Sequence, residues 1–307
     1  MIQKATEAQH SQAKGLDSKE PLEVLSLLAS SQASAARLVA DAVTSISLAA
    51  EIVSETLRSG GRLIYVGAGS SGLMALADAL ELPGTYGIPF EQVVTLFAGG
   101  PSCLDKMLGG PEDDGDAAEA ELLALRPTAK DCLICVTASG STPYPVSAAK
   151  AAQEIGCKVI GIANNQNTRL FEHSDVAIYL ATPAEVIAGS TRMGAATAQK
   201  IALNMLSTLA AIKLGHVHDG YMVNLVADNE KLRARAARIV SEIASVSIEA
   251  ATKNLQIANG AVKAAILISL GAEDLRVANA LLEKHQQVLR PAMGELETKK
   301  QLSEQPA

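Results

Sequence analysis

The stretch between residues 62 and 180 constrains the fold most strongly, because short β-rich runs alternate in it with Ala-rich stretches of helical pattern. Strands buried on both faces of a parallel sheet are almost continuously apolar, and the connecting helices cover the two faces. A regular succession of strand, loop and helix therefore predicts an α/β fold with a doubly wound parallel sheet, a flavodoxin-like three-layer sandwich. The predicted strands are RLIYV (62–66), QVVTLF (92–97), CLICVT (132–137), KVIGIA (158–163) and VAIYL (176–180).

Helical sequence lies on both sides of this α/β region. Apolar residues spaced by three or four between residues 31 and 58 predict one long helix, which Gly60 and Gly61 end. Beyond residue 217 every segment has a helical pattern, and no strand is predicted there. The expected domains are an N-terminal helical segment at 1–50, an α/β domain at 51–217 and a small C-terminal helical domain at 218–307.

Composition and charge exclude several classes of protein. Apolar residues make up 48% of the 307 residues, and the net charge of −7 without a basic cluster argues against a nucleic-acid partner. The first residues lack the apolar centre of a signal peptide, and the longest apolar segment, residues 201–215, is interrupted by Asn204 and Lys213. We therefore expect a cytoplasmic protein without a membrane partner.

Two short motifs that can bind metal in other proteins are interpreted as structural here. Cys132 and Cys135 form a C-x-x-C inside an apolar run, which favours a buried strand over a redox or metal site. The cysteines form no disulfide-rich pattern, which agrees with a reducing compartment. His216 and His218 form an H-x-H pair, but no third ligand is evident near it, so we expect a turn at a domain junction and no metal.

Three loops at the carboxyl edge of the predicted sheet, where open parallel sheets bind ligands, suit a phosphate. The first, GAGSSG (67–72), offers backbone N–H groups, hydroxyls and the N-terminus of the next helix, whose dipole attracts anions. ASGSTPY (138–144) repeats this design, and AGSTRM (188–193) precedes a long helix. The candidate binding residues are Gly69, Ser70, Ser71, Ser139, Gly140, Ser141, Thr142 and Ser190.

The first loop also fits the G-x-G-x-x-G spacing of dinucleotide-binding sites, through Gly67, Gly69 and Gly72. Such sites carry an acidic residue at the end of the second strand, which binds a ribose hydroxyl. Here the second predicted strand is followed by AGG, and Glu91 precedes it. The Ser- and Thr-rich loops therefore favour a sugar phosphate over a dinucleotide, although each hydroxyl could also serve as a helix N-cap.

Two glutamates stand out by their position. Glu81 precedes a turn that Pro83 and Gly84 impose, and Glu112 follows a pair of glycines at a predicted helix start. Position alone leaves two interpretations open for both, a catalytic carboxyl or a surface acid at a helix end.

Seven motifs follow one another along the chain, namely GRLIYVGAGSSG, ADALELPGTYG, VTLFAGG, GPEDD, ASGSTPY, EVIAGSTRMGAATAQKIALNMLST and VADNEKL. Taken together, they resemble the N-acetylmuramic acid 6-phosphate etherases, from about residue 20 to about residue 290. The resemblance implies a sugar isomerase (SIS) fold, related to that of the glucokinase regulatory protein. It also implies a cytoplasmic homodimer that cleaves the lactyl ether of N-acetylmuramic acid 6-phosphate during cell-wall sugar recycling. The products would be N-acetylglucosamine 6-phosphate and D-lactate, formed without a metal or organic cofactor.

The resemblance also implies roles for individual residues. Glu81 matches the acid/base glutamate of the family, and Glu112 matches its second functional glutamate. Hydroxyls of the first and second loops hold the phosphosugar in the family. They match Ser70, Ser71, Ser139 and Ser141 of this chain.

This chain departs from the family at basic positions. Leu73, Ser141 and Gly194 stand where etherases usually carry arginine, arginine and lysine, whereas Arg192 and Lys200 remain. Two alternatives therefore stay open beside a lyase. One is a phosphosugar isomerase, which shares proton abstraction but needs no leaving-group acid, and the other is a non-catalytic phosphosugar sensor. Retention of both glutamates favours catalysis.

Overall fold

The computed structural model describes residues 5–304, with side chains up to residue 299. It divides into two compact units. The first contains the chain up to Leu80 together with Phe90–Leu209, and the second contains Glu81–Pro89 together with the chain from Ala210 onward. The predicted segments 1–50 and 218–307 include residues 1–4 and 305–307, which lie outside the described residues. No helix among the described residues is long and apolar enough to cross a membrane.

A five-stranded parallel sheet forms the centre of the first unit, with the order β2-β1-β3-β4-β5. This order confirms the predicted doubly wound, flavodoxin-like fold. β1 and β3 are buried along their whole length, as their uninterrupted apolar sequences predict. The strands are β1 Leu63–Gly67, β2 Val93–Phe97, β3 Cys132–Thr137, β4 Lys158–Ala163 and β5 Val176–Tyr179.

Helices connect the strands of this sheet, and two of them, α3 and α8, continue into the second unit. Local signals fix several helix ends. Asp114 accepts a hydrogen bond from Ala117 N at 2.8 Å before α5, and Gly156 ends α6 with a φ of +90°. The helices are α1 Pro21–Leu38, α2 Val43–Arg58, α3 Gly69–Tyr86, α4 Ser102–Asp105, α5 Gly115–Ala124, α6 Pro143–Ile155, α7 Arg169–Glu172 and α8 Gly194–Lys213. Short 3₁₀ helices lie at Ala5–Glu7, Leu16–Ser18, Val39–Ala42, Phe90–Gln92 and Gly110–Asp113.

The prediction of one continuous helix over 31–58 is wrong. A 3₁₀ turn at Val39–Ala42 separates α1 from α2. Val39 and Ala42 are buried, so the apolar spacing continues across the turn while the backbone tightens. Hydrophobic periodicity therefore could not reveal the break.

The second unit is mainly helical, as expected, and α11 is buried along most of its length. Side chains cap three of its helices. Asn229, Ser247 and Asp274 accept hydrogen bonds from the backbone N–H groups at the starts of α9, α10 and α12. The helices are α9 Glu230–Ala244, α10 Ile248–Ile257, α11 Val262–Ser269, α12 Leu275–Lys284 and α13 Leu289–Glu304.

The prediction that no strand follows residue 217 is wrong. Val217–His218 (β6) and Tyr221–Met222 (β7) form a two-stranded antiparallel hairpin. Asp219 and Gly220 both adopt positive φ angles, +46° and +82°, as a tight hairpin turn with primed geometry requires. Two-residue strands are too short to show an alternating pattern in sequence.

The turn from β1 into α3 depends on two glycines. A Cβ on Gly72 would lie 2.7 Å from Phe97 Cε2 and 2.9 Å from the carbonyl carbon of Gly67. A Cβ on Gly67 would in turn lie 2.7 Å from Gly72 Cα. Because Gly67 and Gly72 have no side chain, the loop can pack directly against the end of β2.

We expect Gly72→Ala to destabilise the protein by about 1–3 kcal/mol, because its methyl group overlaps backbone and a buried ring. Gly84, in the last turn of the same helix, is the matched control, since a Cβ there meets no atom within 4 Å. Gly84→Ala should change the free energy of unfolding by less than about 1 kcal/mol, in the stabilising direction. Denaturant unfolding of both variants checks this, and equal effects would contradict the packing argument.

Candidate active site

The first candidate loop lies at the carboxyl edge of the sheet, where β1 ends at Gly67 and α3 begins at Gly69. Ser70 is half-buried and Ser71 buried, both in the first turn of α3. The first N–H groups of a helix have no acceptor within it, so this turn can bind an anion through backbone donors and hydroxyls. Gly69, Ser70 and Ser71 therefore lie together at the N-terminus of α3.

The second candidate loop is a cluster of hydroxyls. Thr137 Oγ1 and Thr142 Oγ1 are 2.7 Å apart, and Ser139 Oγ lies 3.3 Å from Thr142 Oγ1. Ser141 donates to Ser139 Oγ from its hydroxyl at 3.3 Å and from its backbone N–H at 3.2 Å. The cluster therefore joins three predicted residues with Thr137, which sequence analysis missed because it is the last residue of an apolar strand. Its position directly before the loop was the signal that could have identified it.

These two loops are neighbours because β1 and β3 pair in parallel. Gly67, the last residue of β1, lies opposite Val136, and β3 ends one residue later at Thr137. The loops that follow them therefore emerge side by side at the carboxyl edge.

Gly140 closes the second loop against the loop that follows β4. Its φ is +67°, and a Cβ on it would overlap the side chain of Thr168. The backbone N–H of Leu170 donates to Gly140 O at 3.1 Å. Thr168 Oγ1 is buried and has no hydrogen-bond partner among the described residues. Gly140 is thus required for backbone shape.

Glu112 lies against the first loop, although it comes from a 3₁₀ helix after β2. A Cβ on Gly69 would lie 2.6 Å from Glu112 Oε1, so the bare backbone of Gly69 leaves room for the carboxylate. Glu112 is half-buried. Burial raises the pKa of its carboxyl above the ordinary value, and the nearby negative charge of Asp113 raises it further. A carboxyl in this state is suited to proton transfer.

The third candidate loop precedes α8, whose first N–H groups are already occupied. The buried carboxylate of Glu185 accepts from Gly194 N at 3.0 Å and from Ala195 N at 2.8 Å. The positive end of the α8 dipole therefore already interacts with a carboxylate of the chain itself. Ser190 lies in this loop, so the helix-terminus argument does not support anion binding there. A Cβ on Gly194 would lie 3.2 Å from Glu185 Oε2, so a glycine there leaves room for Glu185.

Glu81 belongs to the second unit, in the last turns of α3. Its carboxylate is exposed, and the Thr85 hydroxyl donates to Glu81 Oε2 at 3.5 Å, the upper limit for a hydrogen bond. The predicted turn after it is present. Gly87 adopts a φ of +62°, and its N–H donates to Pro83 O at 2.9 Å.

His216 lies directly before β6 and His218 is the last residue of that strand, and the two rings have different partners. The His216 ring donates to the backbone carbonyl of Tyr86, and burial together with the charge of Lys263 lowers its pKa to about 4. His218 Nε2 lies 3.6 Å from Asp219 Oδ2. Across residues 5–304, no three His, Cys, Asp or Glu side chains are grouped as a metal site would require.

The C-x-x-C motif lies inside β3, as predicted. Cys132 and Cys135 are buried free thiols, and burial raises the pKa of both well above the ordinary value. Because side chains alternate along a strand, positions three apart point to opposite faces of the sheet. The pair therefore cannot act as one redox or metal site.

Comparison with known proteins gives a consistent result. A family model described as the SIS domain matches residues 27–164. Curated N-acetylmuramic acid 6-phosphate etherases align over nearly the full length. The protein from Clostridioides difficile strain 630 is 35% identical over 95% of this chain and 96% of its own. The one from Geobacillus thermodenitrificans strain NG80-2 is 38% identical over 94% and 98%.

A solved structure has a similar fold. It is that of a Bacteroides fragilis protein assigned as a phosphosugar isomerase involved in capsule formation. It superposes with a TM-score of 0.51 over 66% of this chain and 95% of that chain, at 24% identity. At this identity the likeness concerns the fold alone.

We expect Glu185→Gln to lower the free energy of unfolding by about 1–3 kcal/mol, because the amide can accept only one of the two backbone hydrogen bonds. Its NH₂ group would also face a donor. Glu119→Gln, which removes an exposed carboxylate on α5, should change stability by less than about 0.5 kcal/mol. Chemical denaturation at neutral pH measures both, and a Glu185→Gln protein as stable as the parent would show that this contact is not structural.

Proposed function

The chain belongs to the N-acetylmuramic acid 6-phosphate etherase family, and from that membership we propose that it cleaves the D-lactyl ether of N-acetylmuramic acid 6-phosphate. It is then a carbon–oxygen lyase that yields N-acetylglucosamine 6-phosphate and D-lactate. The structural observation that carries the proposal is the Glu112 carboxyl, whose raised pKa and contact with the first loop suit acid/base chemistry.

The 6-phosphate, in this proposal, binds at the two neighbouring loops. Their hydroxyls and the N-terminus of α3 supply donors without a fixed charge. The proposed binding residues in these two loops are Gly69, Ser70, Ser71, Ser139, Gly140, Ser141 and Thr142. Ser190, in the third loop, stays a proposed contact to the substrate without support from the N-terminus of α8. Holding the phosphate at this edge would orient the sugar and so lower the entropic part of the barrier.

The reaction requires two proton transfers around one bond cleavage. Removal of the proton next to the sugar carbonyl allows the neighbouring carbon–oxygen bond to break, and the lactyl oxygen leaves with a donated proton. Water then adds to the unsaturated aldehyde, so that the net change is hydrolysis of the ether. Each acid/base step contributes ~10²–10⁴ in rate. We assign the principal acid/base role to Glu81 and the second role to Glu112.

Several further properties are part of the proposal. They are a cytoplasmic location, a place in amino-sugar catabolism and cell-wall recycling, no cofactor or metal, and the domain limits 1–50, 51–217 and 218–307. A homodimer is supported by exposed apolar residues on α1, since Leu22 and Leu25 are 77% and 60% exposed.

One observation favours a second candidate, a phosphosugar sensor that binds without catalysis. Leu73, Ser141 and Gly194 stand at positions where etherases usually carry basic residues. A sensor would keep the binding loops and release no product.

We expect the purified protein to release D-lactate from N-acetylmuramic acid 6-phosphate, and Glu81→Gln to lower kcat by ~10²-fold or more with little change in affinity. Glu112→Gln should also lower kcat, because glutamine keeps the shape but cannot transfer the proton. Asp116→Asn, an exposed change in α5, is the control and should keep parental kinetics. Turnover of Glu81→Gln at the parental rate would refute its assigned role, and binding without D-lactate release would favour the sensor.

The proposed dimer predicts twice the mass of one chain by light scattering at micromolar concentration. Replacing Leu22 and Leu25 together by serine should weaken the association, since both side chains are exposed in one chain. A single-chain mass for the parent would contradict the dimer.

A further inference from the structure

The end of α3 is capped by a distant segment of the second unit. The last carbonyl groups of a helix have no donor within it. Here Val226 N donates to Gly84 O at 3.1 Å, and Asn224 Nδ2 donates to Tyr86 O at 2.8 Å. The helix that carries Glu81 is therefore held at its end by residues from beyond α8.

His216 binds the same carbonyl as Asn224. Its ring donates to Tyr86 O, which has a second lone pair to accept it. The other ring nitrogen, Nδ1, is buried and has no partner within residues 5–304. The hydrogen bond to Tyr86 O is therefore the polar contact that the His216 ring makes here.

The small hairpin explains how two residues separated in sequence reach one carbonyl. Val217 pairs with Met222, and Val223 N donates to His216 O at 3.0 Å, so the strands that precede and follow the turn are locked together. Asp219 in the turn also forms an ion pair with Arg290 of α13. The hairpin therefore holds His216 and Asn224 in a fixed position on either side of it, and we call these two donors to Tyr86 O the clamp.

The clamp formed by His216 and Asn224 packs closely against the turn that ends α3. Gly87 follows Tyr86 with a φ of +62°, and a Cβ there would lie 2.6 Å from Asn224 Nδ2. By contrast, the carboxylate of Glu81 is exposed and has a long 3.5 Å hydrogen bond with Thr85. A side chain held so weakly depends on its backbone for position.

From these contacts we propose that Asn224 and His216 are positioning residues for Glu81, acting through the carbonyl of Tyr86. The inference rests on the proposed function, in which Glu81 is the acid/base residue. Loss of either donor leaves the Tyr86 carbonyl with one of its two hydrogen bonds. The last turn of α3 is then held less firmly, and the Glu81 carboxyl samples unproductive positions. An error of about 1 Å in a catalytic group can cost ~10²-fold in rate.

The first test compares two asparagines of the second unit. Asn224→Ala should lower kcat for D-lactate release by about tenfold or more, with KM changed less than about threefold. Asn254→Ala is the matched control, because Asn254 also donates a single side-chain hydrogen bond, to Ser269 Oγ at 2.8 Å, but away from the turn. It should keep both constants within about twofold of the parent. All assays are run well below each variant's melting temperature.

The second test uses rescue by a similar donor. His216→Gln keeps an N–H group at nearly the position of the ring nitrogen, whereas His216→Leu removes it. We expect the glutamine variant to keep most of the parental kcat and the leucine variant to lose about tenfold. A purely packing role would affect the two variants alike.

The third test is a double-mutant cycle. If Asn224 acts through Glu81, adding Asn224→Ala to Glu81→Gln should lower kcat less than about threefold further. Three results would each overturn this inference and leave the proposed function intact. The first is additive losses in the double-mutant cycle, and the second is an equal loss in Asn224→Ala and Asn254→Ala. The third is a parental kcat in both Asn224→Ala and His216→Leu. A parent that releases no D-lactate would overturn the proposed function, and this inference with it.

Discussion

The close contact between Gly67, Gly72 and Phe97 is the constraint on which the phosphate-binding edge depends. It lets the chain turn from β1 into α3 within two residues and pack the new helix against β2. The same turn keeps the N-terminus of α3 beside the hydroxyl cluster that follows β3, because β1 and β3 pair in register. A longer connection would separate these donors. The glycine spacing that resembles a dinucleotide loop is thus a packing requirement that says nothing about the ligand.

Most of the fold was predictable from the sequence, because the strands of a parallel sheet that helices cover on both faces produce short, almost continuous apolar runs. All five strands of the sheet lie where those runs predict them. The errors have one cause, which is that hydrophobic periodicity does not register short changes of backbone geometry. The 3₁₀ turn at Val39–Ala42 and the hairpin from Val217 to Met222 are both too short to alter it. Their signals were local, such as the Asp219–Gly220 pair at the hairpin turn.

The site was predictable where its residues are adjacent in sequence and unpredictable where the fold brings them together. Ser139, Ser141 and Thr142 share one loop, and their grouping follows directly from the sequence. The approach of Glu112 to Gly69 and the closure of Thr168 on Gly140 depend on tertiary packing. Nor could sequence show that Glu185 occupies the N-terminus of α8, since a single glutamate before a helix has no distinguishing pattern. Two helix N-termini that look equivalent in sequence therefore differ in what they can bind.

The missing basic residues and the raised pKa of Glu112 are two aspects of one electrostatic environment. Burial and the negative charge of Asp113 both act on the Glu112 carboxyl, and both favour its protonated form. An arginine in place of Leu73 or Ser141, close to the first or second loop, would favour the carboxylate and lower this pKa. Neutral donors can still bind a phosphate, because hydroxyls and helix N-terminal N–H groups need no fixed charge. Leucine and serine at these positions therefore leave the anion site with donors and add no positive charge that would lower the raised pKa of Glu112.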